Sequence, residues 1–217
     1  KNRIKNKLVG NIGKPVLDEK FKKKEIYIIE ASSFQLEYSK FIKPYCAAIL
    51  NISQDHLDWH GSKKKYLKSK FKIFNNQTKS DIAFLNDDNL KKLYQNKNFS
   101  AKLKFIKNNP IKFKTIPNKY LQLNTNKDNV KFAYFITRLF KVNKQNFLKS
   151  LKSFNGLSHR HEIFLKLGNY TFINDSKATS FESTKYALLS NKNIIWILGG
   201  QPKKTIKLKL NHSNIRL

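Results

Sequence analysis

Short, continuous apolar runs alternate along this chain with stretches in which apolar residues recur every three or four positions. Ile26 to Ile29 and Ala47 to Ile52 are runs of the first kind, flanked by polar residues, and they predict buried strands of a parallel sheet. Asp81 to Leu85 and Lys102 to Ile106 predict two more strands, and Asn86, Asp87 and Asp88 supply turn and helix-capping chemistry after the first of them. Helical spacing places Tyr66, Leu67, Lys70, Phe71 and Phe74 on one helix within Ser62 to Asn75. A second helix carries Val130, Ala133, Ile136, Leu139 and Phe140, and a third carries Phe147, Leu148, Leu151 and Phe154. The fold class is therefore α/β.

The third helix runs toward Asn155 and Gly156, where a glycine can take the left-handed conformation that closes helices. That seam divides the chain into residues 1–156 and a second α/β unit, residues 157–217. In the second unit Glu162 to Leu167 and Tyr170 to Ile173 predict a strand pair turned at Gly168 and Asn169. Ser180 to Leu189 predicts a helix, and Asn193 to Leu198 a strand ending in Gly199 and Gly200. The remainder, Gln201 to Leu217, is rich in lysine and carries no end signal, so the chain is expected to stop inside a domain.

Composition narrows the function classes. With 217 residues, 40% of them hydrophobic, the chain can bury a core, yet no apolar run approaches the roughly 20 residues needed to cross a bilayer. The basic N-terminus lacks the apolar segment of a secretory signal, which favours the cytoplasm. Cys46 is the only cysteine, excluding an intrachain disulfide and multi-thiolate metal sites. The formal charge of +30 would ordinarily point to nucleic acid or an anionic membrane. Here, however, all but four of the 44 basic residues are lysines scattered along the whole chain, which describes a solvated surface better than a clustered arginine reading face.

Candidate chemistry collects where the predicted strands end. Glu30 closes the first run and is followed by Ser32, Ser33 and Gln35; in open α/β sheets such strand ends hold ligands, although, taken alone, these residues fit better a helix capped by Ser32 or Ser33 with Glu30 paired to a lysine. The second run leads into Ser53, Gln54, Asp55, His56 and Asp58, where a histidine beside two aspartates is a metal candidate. A hydrolase built from Ser32, His56 and Asp58 is disfavoured, because no G-x-S-x-G turn exposes a nucleophile. Asp175 sits in the run Asn174 to Thr179, whose backbone donors and Lys177 suit an oxyanion or phosphate, while no G-x-x-x-x-G-K-[ST] loop occurs.

Seven segments taken in order resemble the Mur ligases. They are Gly10-Asn11-Ile12-Gly13, Glu30-Ala31-Ser32-Ser33-Phe34-Gln35-Leu36-Glu37, Leu50 to Asp58, Tyr66 with Lys70, Gly156-Leu157-Ser158-His159-Arg160, Asn174-Asp175-Ser176-Lys177-Ala178-Thr179, and Leu198-Gly199-Gly200. Within the family the S-S-F-Q-L-E run is most similar to the members that add D-glutamate. The resemblance implies a central ATP-binding domain over residues 1–156, incomplete because the phosphate-binding loop before Gly10 is missing, followed by a truncated Rossmann-like C-terminal domain. It implies ATP and Mg2+ as cofactors, and UDP-N-acetylmuramoyl-L-alanine and D-glutamate as substrates joined through an acyl phosphate in peptidoglycan biosynthesis.

By the same resemblance Glu30, His56 and Lys70 are the catalytic metal-site residues, with Lys70 carbamylated. Asn126, Asn129, Arg160 and Asp175 would bind ATP, although Thr125 stands where the family has a histidine. Asn11, Ser32, Gln35, Lys177, Thr179 and Lys203 would contact the muramoyl precursor or D-glutamate. The resemblance also implies a cytoplasmic monomer with no nucleic-acid or membrane partner, and little turnover by this stretch of chain alone. Two other readings remain open: a sibling ligase that adds another amino acid or acts on folate, and, from a different class, a basic nucleic-acid-binding protein whose binding would weaken steeply with salt.

Overall fold

The computed structural model describes residues 4–52, 56–116, 118, 120–200 and 215. The chain divides into two units, one of residues 1–110 with 132–142, the other of residues 111–131 with 143–217.

The first unit begins with a strand that the apolar pattern does not announce. Only Leu8 and Val9 break its run of polar residues, and β1 (Asn6–Gly10) becomes a strand by pairing in parallel with β2 (Ile26–Glu30), Asn6 opposite Ile26 and Gly10 opposite Glu30. The two strands form a sheet of their own. The expectation that β2 is buried is corrected: Ile28 is 53% exposed and Ile29 39%, because a two-stranded sheet leaves much of its surface uncovered among the described residues. After β2 comes α1 (Ser33–Tyr38), which starts where Ser32 and Gln35 form a reciprocal capping box.

A second parallel sheet has the order β3 (Cys46–Ala48), β4 (Ile82–Leu85), β5 (Lys102–Phe105). Its middle strand, β4, is buried at every position, and the two-residue period of a strand sends its side chains to opposite faces. Ala83 and Leu85 pack with Phe71, Phe74, Leu90 and Tyr94, from α3 (Lys63–Phe71), the 3-10 turn that extends it, and α4 (Asp88–Asn96). Ile82 and Phe84 pack with Phe132 and, less deeply, Phe135, Ile136 and Leu139 of α5 (Lys127–Leu139). Helices thus cover both faces of this sheet, as a parallel sheet requires.

β3 is shorter than the apolar run predicts. It leaves the ladder after one further bond, from the amide of Ile49 to the carbonyl of Phe84 at 3.3 Å. Ile49 and Leu50 still pack on opposite sides, one against each core cluster, but Ile52 joins the side of Ile49 rather than that of Leu50, so the alternation ends soon after the strand does. Cys46, in β3, is half-buried, and desolvation pushes its thiol up to about 11. Helix starts follow the capping chemistry: the side chains of Ser62 and Asp87 accept the amides of Lys65 and Leu90. Between β3 and α3 lies the single turn α2 (Leu57–His60), entered through His56 in a left-handed conformation, φ +53°.

In the second unit α6 (Lys144–Lys152) is capped by Asn143, and the hairpin β6 (Glu162–Leu167) with β7 (Tyr170–Asn174) is turned at Gly168 and Asn169 as expected. α7 (Phe181–Ser190) follows, capped by Ser180. Two expectations are corrected. The third helix ends at Lys152 with Ser153 as its cap, so Gly156, at φ +88°, shapes the loop beyond rather than closing the helix. The predicted strand Asn193 to Leu198 is reduced to one bridge, Ile194 with Ile215, and Ile195 and Ile197 are exposed. An apolar run becomes a strand only where neighbours complete its ladder, and among the described residues Ile215 alone does so.

Candidate active site

The end of the β1–β2 sheet builds the first part of the site. The amide of Asn11 donates to the carbonyl of Glu30 at 2.8 Å, and the amide of Gly10 to the carbonyl of Lys14 at 2.9 Å, so the chain turns sharply beside Glu30. Asn11 and Glu30, two sequence-predicted residues, are thereby adjacent. The Glu30 side chain is exposed and, among the described residues, has no hydrogen-bonded or ionic partner, so the alternative in which a lysine neutralises it is not what the fold adopts. Ser32 caps α1 as the structural alternative anticipated. Its amide and hydroxyl both donate to Gln35 Oε1, at 2.9 and 3.1 Å, and its oxygen accepts the amide of Gln35 at 3.2 Å.

α1, α2 and α3 meet behind these residues. The ring of Phe34 lies edge-on to His56 at 4.8 Å between centroids and edge-on to Trp59 at 4.8 Å. Lys70 Nζ lies 5.7 Å from the centroid of Tyr66, whose ring is 5.2 Å from that of His60. His56 and Lys70 therefore border one aromatic cluster organised around His60. Among the described residues no set of three or more His, Cys, Asp or Glu side chains is arranged to hold a metal. Ser53, Gln54 and Asp55 lie outside the described residues.

His60 is the residue that sequence reading missed. It is 5% exposed, and its ring nitrogens lie 3.0 Å from Ser33 Oγ and 3.3 Å from Ser69 Oγ. Ser69 in turn donates to Glu37 Oε2, and Lys72 Nζ holds Glu37 through Oε1 at 2.9 Å and the backbone carbonyl at 2.6 Å. Desolvation holds the His60 imidazole below its ordinary value. Hydrogen bonds from Ser69 and Lys72 hold the Glu37 carboxyl below the usual carboxylate range. One available signal was the position of His60 four residues after His56, on the same face of a helical turn.

In the second unit two predicted pairs come together. Asn129 Nδ2 donates to Asn126 Oδ1 at 3.1 Å, and the buried Asn126 uses its own Nδ2 on the carbonyl of Tyr120 at 2.9 Å. Arg160 stands between His159 and His161, both left-handed at φ +64° and +48°. This loop is tied to the run after β7. The amide of His161 donates to Asp175 Oδ1 at 2.9 Å, that of Lys177 to the carbonyl of His159 at 3.0 Å, and Asn174 Nδ2 meets His159 Nδ1 at 2.9 Å. Arg160, Asp175 and Lys177 thus belong to one locally braced structure, with Thr179 beside it, its amide donating to the carbonyl of Lys177 at 3.1 Å. Burial lowers the His161 imidazole against the opposing pull of Asp175. Lys203 lies outside the described residues.

Residues 4–153, which contain both sheets of the first unit and their polar ends, match the Mur ligase middle domain, and the chain belongs to the Mur ligase family. It is 36% identical to the UDP-N-acetylmuramoylalanine–D-glutamate ligase of Elusimicrobium minutum (strain Pei191), with 94% of this chain and 50% of that protein covered. It is 37% identical to the protein of the same name from Christiangramia forsetii (strain DSM 17595 / CGMCC 1.15422 / KT0803), covering 94% and 51%. The chain spans about half the length of the curated relatives it matches. Among solved structures, MurF from Acinetobacter baumannii shares the fold at a TM-score of 0.57 and 17% identity, over 80% of this chain and 45% of that one. No helix among the described residues is long and apolar enough to cross a membrane.

Proposed function

We propose that this chain supplies the central domain, residues 1–156, and the first part of the C-terminal domain, residues 157–217, of a cytoplasmic ligase that joins D-glutamate to UDP-N-acetylmuramoyl-L-alanine at the expense of ATP. The observation that carries the reading is the 36% identity to a ligase of that name across 94% of the chain. In this reaction a carboxylate oxygen of the muramoyl-alanine attacks the γ-phosphorus of ATP and ADP leaves. The amine of D-glutamate then attacks the acyl carbon, phosphate leaves, and the new nitrogen loses a proton.

The residues take roles that their hydrogen bonds allow. Gln35 spends its Oε1 on the cap of α1, which leaves its amide N–H groups to donate to the muramoyl precursor beside Asn11 and Ser32. Asn126 is consumed by Tyr120 and Asn129, so Asn129 is the member of that pair that faces the nucleotide. Arg160 offers phosphate a planar fork on a braced loop, with Asp175 nearby for the ribose and Lys177 and Thr179 for the D-glutamate carboxylates. Lys203 joins that last group by sequence alone.

As encoded, the donors at the metal site are a carboxylate from Glu30, an imidazole from His56 and an ammonium from Lys70. The ammonium would repel a dication. Carbamylation joins Lys70 Nζ to the carbon of carbon dioxide as the ammonium gives up two protons, replacing the cation by anionic oxygens, and the set then suits a hard oxygen-seeking ion. Bound Mg2+ would offset repulsion between the triphosphate and the substrate carboxylate. Glu30, without a competing partner among the described residues, is the ligand nearest the strand-end turn.

A chimera tests the reading. Residues 4–200 replace the matching segment of the Elusimicrobium minutum ligase, and amide formation is measured against a panel of amino acids. Formation of the D-glutamyl product, lost in Glu30→Gln and His56→Ala, is the expected result. A folded chimera that uses a different amino acid, or none, sinks the proposal.

A further inference from the structure

We propose that His60 is a positioning residue that holds His56 and Lys70 at the cation site; the inference rests on the ligase reading above. Hydrogen-bond bookkeeping fixes how it does so. A carboxylate can only accept, so the Ser69 hydroxyl gives its proton to Glu37 Oε2, in preference to the neutral carbonyl of Lys65 that also lies 3.1 Å away. Ser69 Oγ is then the acceptor for His60, whose Nδ1 must carry hydrogen. The remaining ring nitrogen, Nε2, is a bare lone pair and accepts the hydroxyl of Ser33 at 3.0 Å. All the hydrogens in the chain Ser33, His60, Ser69, Glu37 point the same way, toward a carboxylate that Lys72 anchors.

Each link in this chain sits on an element that carries a proposed site residue. Ser33 is the first residue of α1, next to Ser32 and three residues past Glu30. His60 ends α2, whose cap is His56. Ser69 lies in α3, immediately before Lys70. Ser33 is 2% exposed, His60 5% and Ser69 1%, so water cannot replace a lost partner without opening the cluster. The ring also fills space: Phe34, which meets His56 edge-on, has its ring centroid 5.7 Å from that of His60, and Trp59 has its own 4.4 Å away. One imidazole therefore ties α1, α2 and α3 together through buried polar contacts.

The test separates hydrogen bonding from packing. His60→Phe keeps an aromatic ring and removes both bonds. His60→Gln restores one acceptor and one donor at similar separation. Binding of Mn2+ in bicarbonate buffer is measured by titration for the wild-type chain, His56→Ala, His60→Phe and His60→Gln, each checked for folding by thermal melting. The expected result is wild-type binding abolished by His56→Ala, weakened about tenfold or more by His60→Phe, and largely recovered by His60→Gln. Wild-type affinity in His60→Phe, with His56→Ala still inactive in binding, overturns the role of His60 and leaves the ligase reading intact.

If His56→Ala binds Mn2+ as wild type does, the metal assignment fails instead, and a metal-free measurement then decides the role of His60. In 15N-histidine NMR, His60 is expected as the Nδ1–H tautomer, and the His56 ring signal is expected to move in His60→Phe but not in His60→Gln. A His56 signal indifferent to His60→Phe overturns the inference.

Discussion

The backbone amide of Asn11 donates to the carbonyl oxygen of Glu30 at 2.8 Å, latching the ends of β1 and β2 together at the point where the proposed metal ligand leaves the sheet. Residue 10 permits that approach because it has no Cβ. An added Cβ would stand 2.3 Å from the same oxygen, on a backbone at φ +111° that side chains rarely adopt. Gly10→Ala must therefore part the strand ends or strain the turn, at a cost of about 1–3 kcal/mol in urea unfolding. The same variant is expected to weaken any cation binding that depends on Glu30. A Gly10→Ala protein as stable as wild type would show that the two strand ends are not latched.

Asp81 gives the fold a defined response to acid. The amide and hydroxyl of Thr78 donate to its Oδ2 at 2.7 and 2.8 Å, and Lys43 Nζ lies 4.0 Å away. The backbone hydrogen bond chiefly, with the hydroxyl and the lysine assisting, holds this carboxyl below the ordinary aspartate range. A folded value below the unfolded one, about 3.9, means that the contribution is complete above that pH and is lost as pH falls through the folded value. The stability difference between wild type and Asp81→Asn is expected to shrink as the solution is acidified below about pH 4. A difference that stays constant with pH would assign the stabilisation to shape rather than charge.

The covered sheet was legible because both of its signals are local. Apolar runs at Asp81 to Leu85 and Lys102 to Ile106 need only neighbours on two faces to become strands, and Asp87 and Ser62 mark helix starts by side chains that reach three residues ahead. β1 was illegible because Leu8 and Val9 alone cannot distinguish a strand from a loop; the partner that decides the matter lies some twenty residues on. Asn193 to Leu198 erred in the opposite direction, carrying the right letters but, among the described residues, no ladder beyond the bridge to Ile215. At the site, residues at strand ends could be picked out one by one. His60 offered only its place four residues after His56, because its importance lies in joining Ser33 to Ser69 across 36 residues of sequence, a tie that local spacing does not reveal.

Cys46 should be chemically quiet in the folded chain. It is half-buried against the cluster of Ile82, Phe84 and Ile106, and desolvation outweighs the nearby Lys104 in pushing its thiol up to about 11. Since the thiolate is the reactive form, its fraction at pH 8 falls to about a thousandth. Reaction with a disulfide reagent at pH 8 is expected to be at least ~100-fold slower in buffer than in denaturing urea. Equal rates would mean that β3 opens readily at its edge.

The loop that presents Arg160 is held by Asp175 in a way that a pair of substitutions can separate from charge. His159 and His161 are left-handed on either side of the arginine, a conformation that persists only where hydrogen bonds over-determine it. Glu162 Oε2 accepts the amide of His159 at 2.7 Å, and Asp175 Oδ1 accepts that of His161 at 2.9 Å. Asp175→Asn keeps an oxygen acceptor in place, whereas Asp175→Ala leaves the amide of His161 without one. The alanine variant is expected to lose about 1 kcal/mol of stability and the asparagine variant close to none. In the chimeric ligase the alanine variant should also raise KM for ATP above that of the asparagine variant, because Arg160 would no longer be presented from a fixed loop. Equal KM values for the two would confine Asp175 to a direct contact with the nucleotide and remove its bracing role.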